Sequence, residues 1–265
     1  FALFTYTDGD FEAGMRYENY QNVMLGFPNG FRGEGITYRY ARVKRDNWDI
    51  TVGNFYEQFG SGLIFRSYEE RVLGLDNAMD GVRVLTKING RIKIKGVLGR
   101  QRKYFTKSDG IVRGVDIEWS ANELIPILNK KGIITSFGAS FVSKFQRGFD
   151  PILNLPENVG SYSLRSNLNF KGYSWTNEWG YKINDPSYDN GYIYRPGEAF
   201  ISTLTYSKKG LGILASIKRI DNMSFRSDRN AQQFDLFINF LPPTSEPHTY
   251  ALPALYPYAT QVNGE

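Results

Sequence analysis

The stretch Phe11-Glu12-Ala13-Gly14-Met15-Arg16-Tyr17-Glu18 alternates without a break. Phe11, Ala13, Met15 and Tyr17 fall on one side, and Glu12, Gly14, Arg16 and Glu18 on the other. Successive side chains of a strand point to opposite faces, so this segment has one apolar and one charged face. A helix would scatter both sets around its whole circumference. The pattern recurs along the chain. Ile36, Tyr38 and Tyr40 oppose Thr37, Arg39 and Ala41; Trp48, Ile50 and Val52 oppose Asp49, Thr51 and Gly53. Ile92 and Ile94 oppose Arg91, Lys93 and Lys95, and Val115, Ile117 and Trp119 oppose Asp116, Glu118 and Ser120. Phe137, Ala139 and Phe141, then Tyr162, Leu164, Leu168 and Phe170, and finally Phe234, Leu236, Ile238 and Phe240, repeat it.

Turn chemistry separates these segments. Asp8-Gly9 and Asn89-Gly90 are favoured hairpin pairs, because such turns need positive φ, and Lys171-Gly172 resembles them. Arg45-Asp46-Asn47 and Lys208-Lys209-Gly210 are slightly longer turns. Ser120 to Leu128 holds a short helical turn, limited by Pro126. Between the tight turns fall longer connections at 22–35, 54–81, 103–110, 146–160, 184–198 and 221–232. Short and long connections therefore alternate. In an up-and-down meander this puts every short turn at one end and every long loop at the other. That is the layout of a transmembrane antiparallel up-and-down β-barrel, with strands of roughly ten residues, apolar outward and polar inward. Tyr20, Trp48, Tyr104, Phe105, Trp119, Phe170, Tyr173, Trp175, Trp179 and Tyr206 suit interfacial girdles. A soluble sandwich or lipocalin-like barrel also alternates, but buries its apolar face. Charge in mid-strand (Arg91, Lys93, Lys95, Asp116, Glu118) favours the membrane version.

The pattern counts about 13 strands, while single-chain bacterial barrels close on an even number. Phe1-Ala2-Leu3-Phe4 already sits in the strand pattern, so the chain is expected to be part of a larger barrel of 14 strands or more.

Composition narrows the chemistry. The 265 residues contain no Cys and one His, which excludes thiolate zinc sites, iron–sulfur clusters, cysteine nucleophiles and multi-His metal centres. No cofactor or metal is expected. No run reaches the roughly 18 apolar residues of a membrane helix. Lys and Arg number 32 against 27 Asp and Glu, a mild excess that permits an anionic partner.

Two stretches carry a resemblance. One is Gly53-Asn54-Phe55-Tyr56-Glu57-Gln58-Phe59-Gly60-Ser61-Gly62-Leu63-Ile64-Phe65-Arg66, with Tyr68-Glu69-Glu70-Arg71, Leu75-Asp76-Asn77 and Asp80-Gly81-Val82-Arg83. The other is His248-Thr249-Tyr250-Ala251-Leu252, with Leu255 to Gln261 and Asn263-Gly264-Glu265. Together they resemble an uncharacterised family of outer-membrane β-barrel proteins from Bacteroidota. The resemblance implies the bacterial outer membrane and no catalytic residues.

The expected lumen charge network comprises Glu57, Arg66, Glu69, Arg71, Asp80, Arg83, Arg91, Lys93, Lys95, Asp116 and Glu118. The 54–81 connection is read as a charged loop folded into or over the lumen, held by Arg–carboxylate pairs. Glu69 and Glu70 are adjacent, so an extended chain points them apart and they form no catalytic dyad. Gly60-Ser61-Gly62 lacks the spacing of a nucleophile turn, and the sole His lies at 248. Arg100, Arg102 and Lys103 lie near the rim, where lipopolysaccharide phosphate is a natural counter-charge; nucleic acid is not expected. Tyr188, Tyr192 and Tyr194 are candidate loop-binding residues, with loop-on-loop packing as the simpler reading.

The resulting expectation is a non-enzymatic outer-membrane barrel, a structural or accessory subunit of a complex. It would contact outer-membrane lipid, lipopolysaccharide and other outer-membrane or periplasmic proteins. A porin-like or uptake channel for small polar or anionic solutes is the main alternative. An outer-membrane lipid hydrolase and a soluble carbohydrate-binding β-protein stand behind it.

Overall fold

A computed structural model describes residues 1–22, 29–71, 74–148, 150, 152–232 and 235–242. His248 and the second resemblance stretch lie outside the described residues. Twelve strands form one antiparallel sheet in chain order: β1 (Ala2–Asp8), β2 (Phe11–Tyr20), β3 (Gly33–Arg45), β4 (Trp48–Phe55), β9 (Met79–Ile88), β10 (Ile92–Lys103), β11 (Thr106–Ser120), β12 (Ile133–Phe145), β13 (Asn158–Phe170), β14 (Tyr173–Lys182), β15 (Gly197–Lys208) and β16 (Leu211–Asp221). Between β4 and β9 lie four two-residue strands. β5 (Glu57–Gln58) pairs with β6 (Arg66–Ser67), and β7 (Glu69–Glu70) with β8 (Leu75–Asp76). The architecture is an all-β up-and-down meander. Among the described residues no pairing joins β1 to β16, so the sheet has two open edges.

Turn residues explain the hairpins. Asn89 and Gly90 take φ of 50° and 68°, and Lys171 and Gly172 take 45° and 86°, as tight hairpins require. Pro126 splits the β11–β12 connection into two one-turn helices, α1 (Ala121–Leu124) and α2 (Ile127–Lys130). The long connection expected over 103–110 is instead a tight turn at Tyr104-Phe105. Tertiary contacts hold it: Tyr104 packs edge-on against Phe31, with ring centroids 4.9 Å apart, and its hydroxyl donates to Asp235.

Register puts one set of side chains outward across the whole sheet. Phe4, Met15, Ile50, Val52, Val82, Leu98, Val115, Ile117, Phe141, Leu164, Trp175, Phe200, Leu204 and Ile217 all stand exposed on that face. One expected alternation fails. Thr37 is an extra residue, because Arg16 pairs with Tyr38 while Tyr17 pairs with Ile36. A bulge of this kind reverses the facing of the strand residues beyond it. Ile36 therefore points outward, while Tyr38 and Tyr40 turn inward with Arg42; Tyr38 stacks on Tyr56 at 5.3 Å and Tyr40 donates to Glu12.

The opposite face is concave, because strands from β2 to β15 touch one inner body. That body is built from the described residues of 56–78 and 222–240. Phe59, Leu63, Ile64 and Phe65 are fully buried there with Phe225 and Ile238, against inward-facing Val97, Val112, Val142, Val159 and Ala199. Gly114 makes room: a Cβ there would sit 2.8 Å from the Phe59 ring. The two inner segments also bond each other, with Arg66 N–H donating to Ile238 and Phe240 N–H donating to Gly62. The strand expected over Phe234–Phe240 is therefore not part of the wall. Its Leu236–Phe240 portion pairs with the inner body, and its alternation buries Ile238 in that core. Phe234 lies outside the described residues. The sheet has twelve strands where the pattern counts about 13.

Phe59→Ala should cost about 3–5 kcal/mol, the usual range for emptying a buried aromatic site. Equilibrium denaturant unfolding of the purified protein measures it. A midpoint unchanged from wild type would mean that Phe59 is not packed in a core.

Candidate functional site

The concave face carries several ionic groups around the apolar body. The first ties 68–78 to the wall. Arg16 on β2 reaches Glu18 at 2.8 Å, Glu69 at 2.9 Å, and Asp76. Arg102 on β10 reaches Glu18 at 2.7 Å and the same Asp76 carboxylate. Tyr56 donates to Asp76 at 3.0 Å. The side chains of Arg16, Arg102, Glu18 and Asp76 are all under a tenth exposed. Buried charges of this kind persist only when paired and hydrogen-bonded.

The second group ties β5 to the wall. Glu57 accepts from Arg83 at 2.7 Å and from Lys95 at 2.8 Å, and Lys95 also donates to the Gln58 carbonyl. Burial alone would raise the Glu57 carboxyl, but the Lys95 and Arg83 hydrogen bonds outweigh it and hold it below its ordinary value. Arg83 also approaches Asp49 at 3.4 Å, and Arg42 grips Asp49 through two donors. The third group sits on the far wall. Arg165 donates to Asp116 at 2.6 Å and to Ser140, and Ser140 donates to Asp116 at 2.6 Å. Gly138 leaves the guanidinium its space, since a Cβ there would lie 2.5 Å from it. Ser61 at the tip of the inner body donates its N–H to Glu178 at 2.8 Å.

Near the long-loop end, Lys144 and Lys182 are both fully buried and share Asp185, at 2.8 and 3.4 Å. Lys182 also donates to the Ser224 carbonyl, and both ammonium groups face the Phe225 ring. This anchors the 222–240 segment.

Of the residues expected in the network, Glu57, Arg83 and Lys95 meet in one group, Glu69 joins another with Arg71 bonded to it at 2.9 Å, and Asp116 belongs to the third. Lys93 and Glu118 face each other at 3.8 Å in a largely exposed pair near the short-turn end. Three residues stand elsewhere. Arg66 is sandwiched between the rings of Tyr68 and Phe240, at 4.2 and 4.4 Å, because its neighbours there are aromatic. Asp80 pairs with Lys107, since strand alternation turns it away from Met79 and the core. Arg91 lies exposed in the hairpin turn after Ile88. Arg16, Glu18, Asp76, Arg102, Arg165, Lys144, Lys182 and Asp185 are network members that sequence reasoning does not place there. The signal for the wall residues among them is charge on the polar face of a strand, as with Arg16, Glu18 and Arg165.

Tyr192 donates to Asn230 at 2.8 Å and Tyr194 to the Asn154 carbonyl, so both join loop to loop; Tyr188 is exposed. No cluster of metal-ligating side chains occurs among the described residues. No helix among them is long and apolar enough to cross a membrane.

Asp76→Asn removes the one inner carboxylate that two buried guanidinium groups share, leaving them Glu18 and, for Arg16, Glu69. It should destabilise the fold by about 3–5 kcal/mol, as removing one partner of a buried pair does. Lys93→Ala, at the exposed pair, should cost about 0–1 kcal/mol. Parallel denaturant titrations test the contrast, and equal costs would contradict it.

No curated protein matches the sequence. Eight chains of solved structures match. One is OccAB4 of Acinetobacter baumannii, at 10% identity and a TM-score of 0.37, covering 78% of this chain and 68% of that one. Another is a mutant of the Rh. blastica porin, at 13% identity and a TM-score of 0.31, covering 82% of each chain. The family model described as "Family of unknown function (DUF6029)" matches residues 1–265, and the chain belongs to that family.

Proposed function

We propose that the protein is a non-catalytic β-barrel of the bacterial outer membrane, closed along its axis by its own chain, and that it acts as a structural or accessory subunit of an outer-membrane complex. The membrane reading rests on the exposed outward face. Exposed Phe, Leu, Ile, Val and Trp recur on it from β1 to β16, and an apolar face that spans a whole sheet marks a membrane or protein contact surface. The buried ion pairs Arg16–Asp76, Arg83–Glu57 and Arg165–Asp116 lie on the opposite face, as the polar-inward arrangement of a membrane strand requires. The likeness of Gly53–Arg83 to Bacteroidota barrels belongs to the same reading. A soluble carbohydrate-binding protein would have to leave this face in water.

The single observation that carries the closed-barrel reading is the full burial of Phe59, Leu63, Ile64 and Phe65 against the concave wall. An apolar core packed like a protein interior leaves no path for a hydrated solute. Work through the loops, the outer wall and neighbouring outer-membrane or periplasmic proteins then remains. A gated porin-like or uptake channel is the second reading. It is favoured by the polar short-turn half of the concave face, where Lys93 and Glu118 stay 59% and 40% exposed. In that reading the inner body would move aside.

Full-length protein reconstituted in planar bilayers should pass no sustained current. Gly114→Leu, which forces the Phe59 ring off its seat, should introduce intermittent openings. Steady wild-type conductance would overturn the closed-barrel reading in favour of the channel.

A further inference from the structure

We propose that a groove on the outward face of β11–β13 binds one molecule of lipid A, the acylated and phosphorylated anchor of lipopolysaccharide. This inference rests on the membrane reading above.

The groove arises from register. Arg113, Ser143 and Gly160 lie side by side on adjacent strands, all on the outward face. Two of the three have almost no side chain, so the wall dips where its neighbours bulge. The next row toward the short turns is aromatic: Phe141 and Tyr162 pack at 5.0 Å and wall one side. Ile183 lines the groove from beyond β14, its N–H bonded to the Gly160 carbonyl. The cavity is about 470 Å³. Phe141 leans over Gly160, and a Cβ at Gly160 would lie 3.2 Å from that ring. The floor is thus shaped by the absence of a side chain.

One end is cationic. Arg113 is exposed and forms no ion pair among the described residues; Asn158 accepts one of its N–H groups, at 2.8 Å. A guanidinium offers five donors in a planar fork that matches a phosphate. An apolar slot with a guanidinium at its end that no carboxylate neutralises among the described residues suits an amphiphile carrying acyl chains and an anionic head. Strand position selects which amphiphile. Ser143 and Gly160 lie within two residues of the ends of β12 and β13, beside the long connection between them. Long loops are extracellular in barrels of this layout. The groove therefore faces the leaflet that holds lipopolysaccharide. Bilayer phosphates attract an interfacial Arg enough that its loss weakens binding about fivefold.

Native mass spectrometry of the full-length protein in detergent tests this, with lipid A, dephosphorylated lipid A and phosphatidylglycerol added separately. Wild type should retain one lipid A. Arg113→Ala should lower its occupancy about fivefold, and Gly160→Leu, which fills the slot without touching the inner core, should abolish it. Dephosphorylated lipid A should bind wild type and Arg113→Ala alike. A heat-dependent shift on SDS gels confirms that each variant is a folded barrel. Folded variants that hold lipid A as well as wild type overturn the site, as does preferential retention of phosphatidylglycerol. A protein that is soluble without detergent and shows no heat shift instead overturns the membrane reading itself.

Discussion

Burial of Phe59, Leu63, Ile64 and Phe65 against the concave wall is the interaction on which the rest of the structure depends. A wide meander of alternating strands has no second sheet to cover its inner face. Inward-facing Val97, Val112, Val142 and Val159 would otherwise meet water, or an empty space, with nothing to pack on. The 56–78 and 222–240 segments supply that packing. They join each other through backbone hydrogen bonds, so the apolar body carries few orphaned polar groups of its own. Asn239 does much of the remaining work: its side chain donates to the carbonyls of Leu63 and Met223 and accepts from Phe225 N–H.

The charges depend on that core. A body inserted through loops must be fixed at its margins, and hydrophobic contact alone gives no direction. Asp76 between Arg16 and Arg102, Glu57 between Arg83 and Lys95, and Asp185 between Lys144 and Lys182 each hold one inner or loop carboxylate with two cations of the wall. Each arrangement is a carboxylate from the inserted or loop segments caught by strand cations. That repetition fixes position, while net stabilisation from buried pairs is small once desolvation is counted.

Most of the wall is legible in the sequence because a period of two survives averaging and glycine turns are local. The Thr37 bulge is not, since Ile36, Tyr38 and Tyr40 keep an unbroken apolar period of two across its extra residue. The Tyr104-Phe105 turn is hidden for a related reason: Phe31 and Asp235, far away in the chain, select it. The inner body is half legible. Its charges stand out, whereas Leu63-Ile64-Phe65, an apolar run inside a charged connection, is the better sign of a core. Arg66 and Asp80 escape a reading of charge without neighbours: one sits between two rings, the other on the far side of its strand. The pairing of Lys144 and Lys182 depends on a loop aspartate and cannot be read from strand pattern.

The absence of cysteine allows a direct measurement of which face meets lipid. Single spin labels would be attached at Leu164→Cys and Ile217→Cys on the outward face, and at Ser61→Cys at the exposed tip of the inner body, in the full-length protein reconstituted in vesicles. The account predicts that labels at the two outward positions collide with oxygen dissolved in lipid and are shielded from a water-soluble nickel chelate, while the label at Ser61→Cys shows the reverse. Outward labels that are as accessible to the chelate as the inner one would contradict a lipid-facing wall around a filled interior.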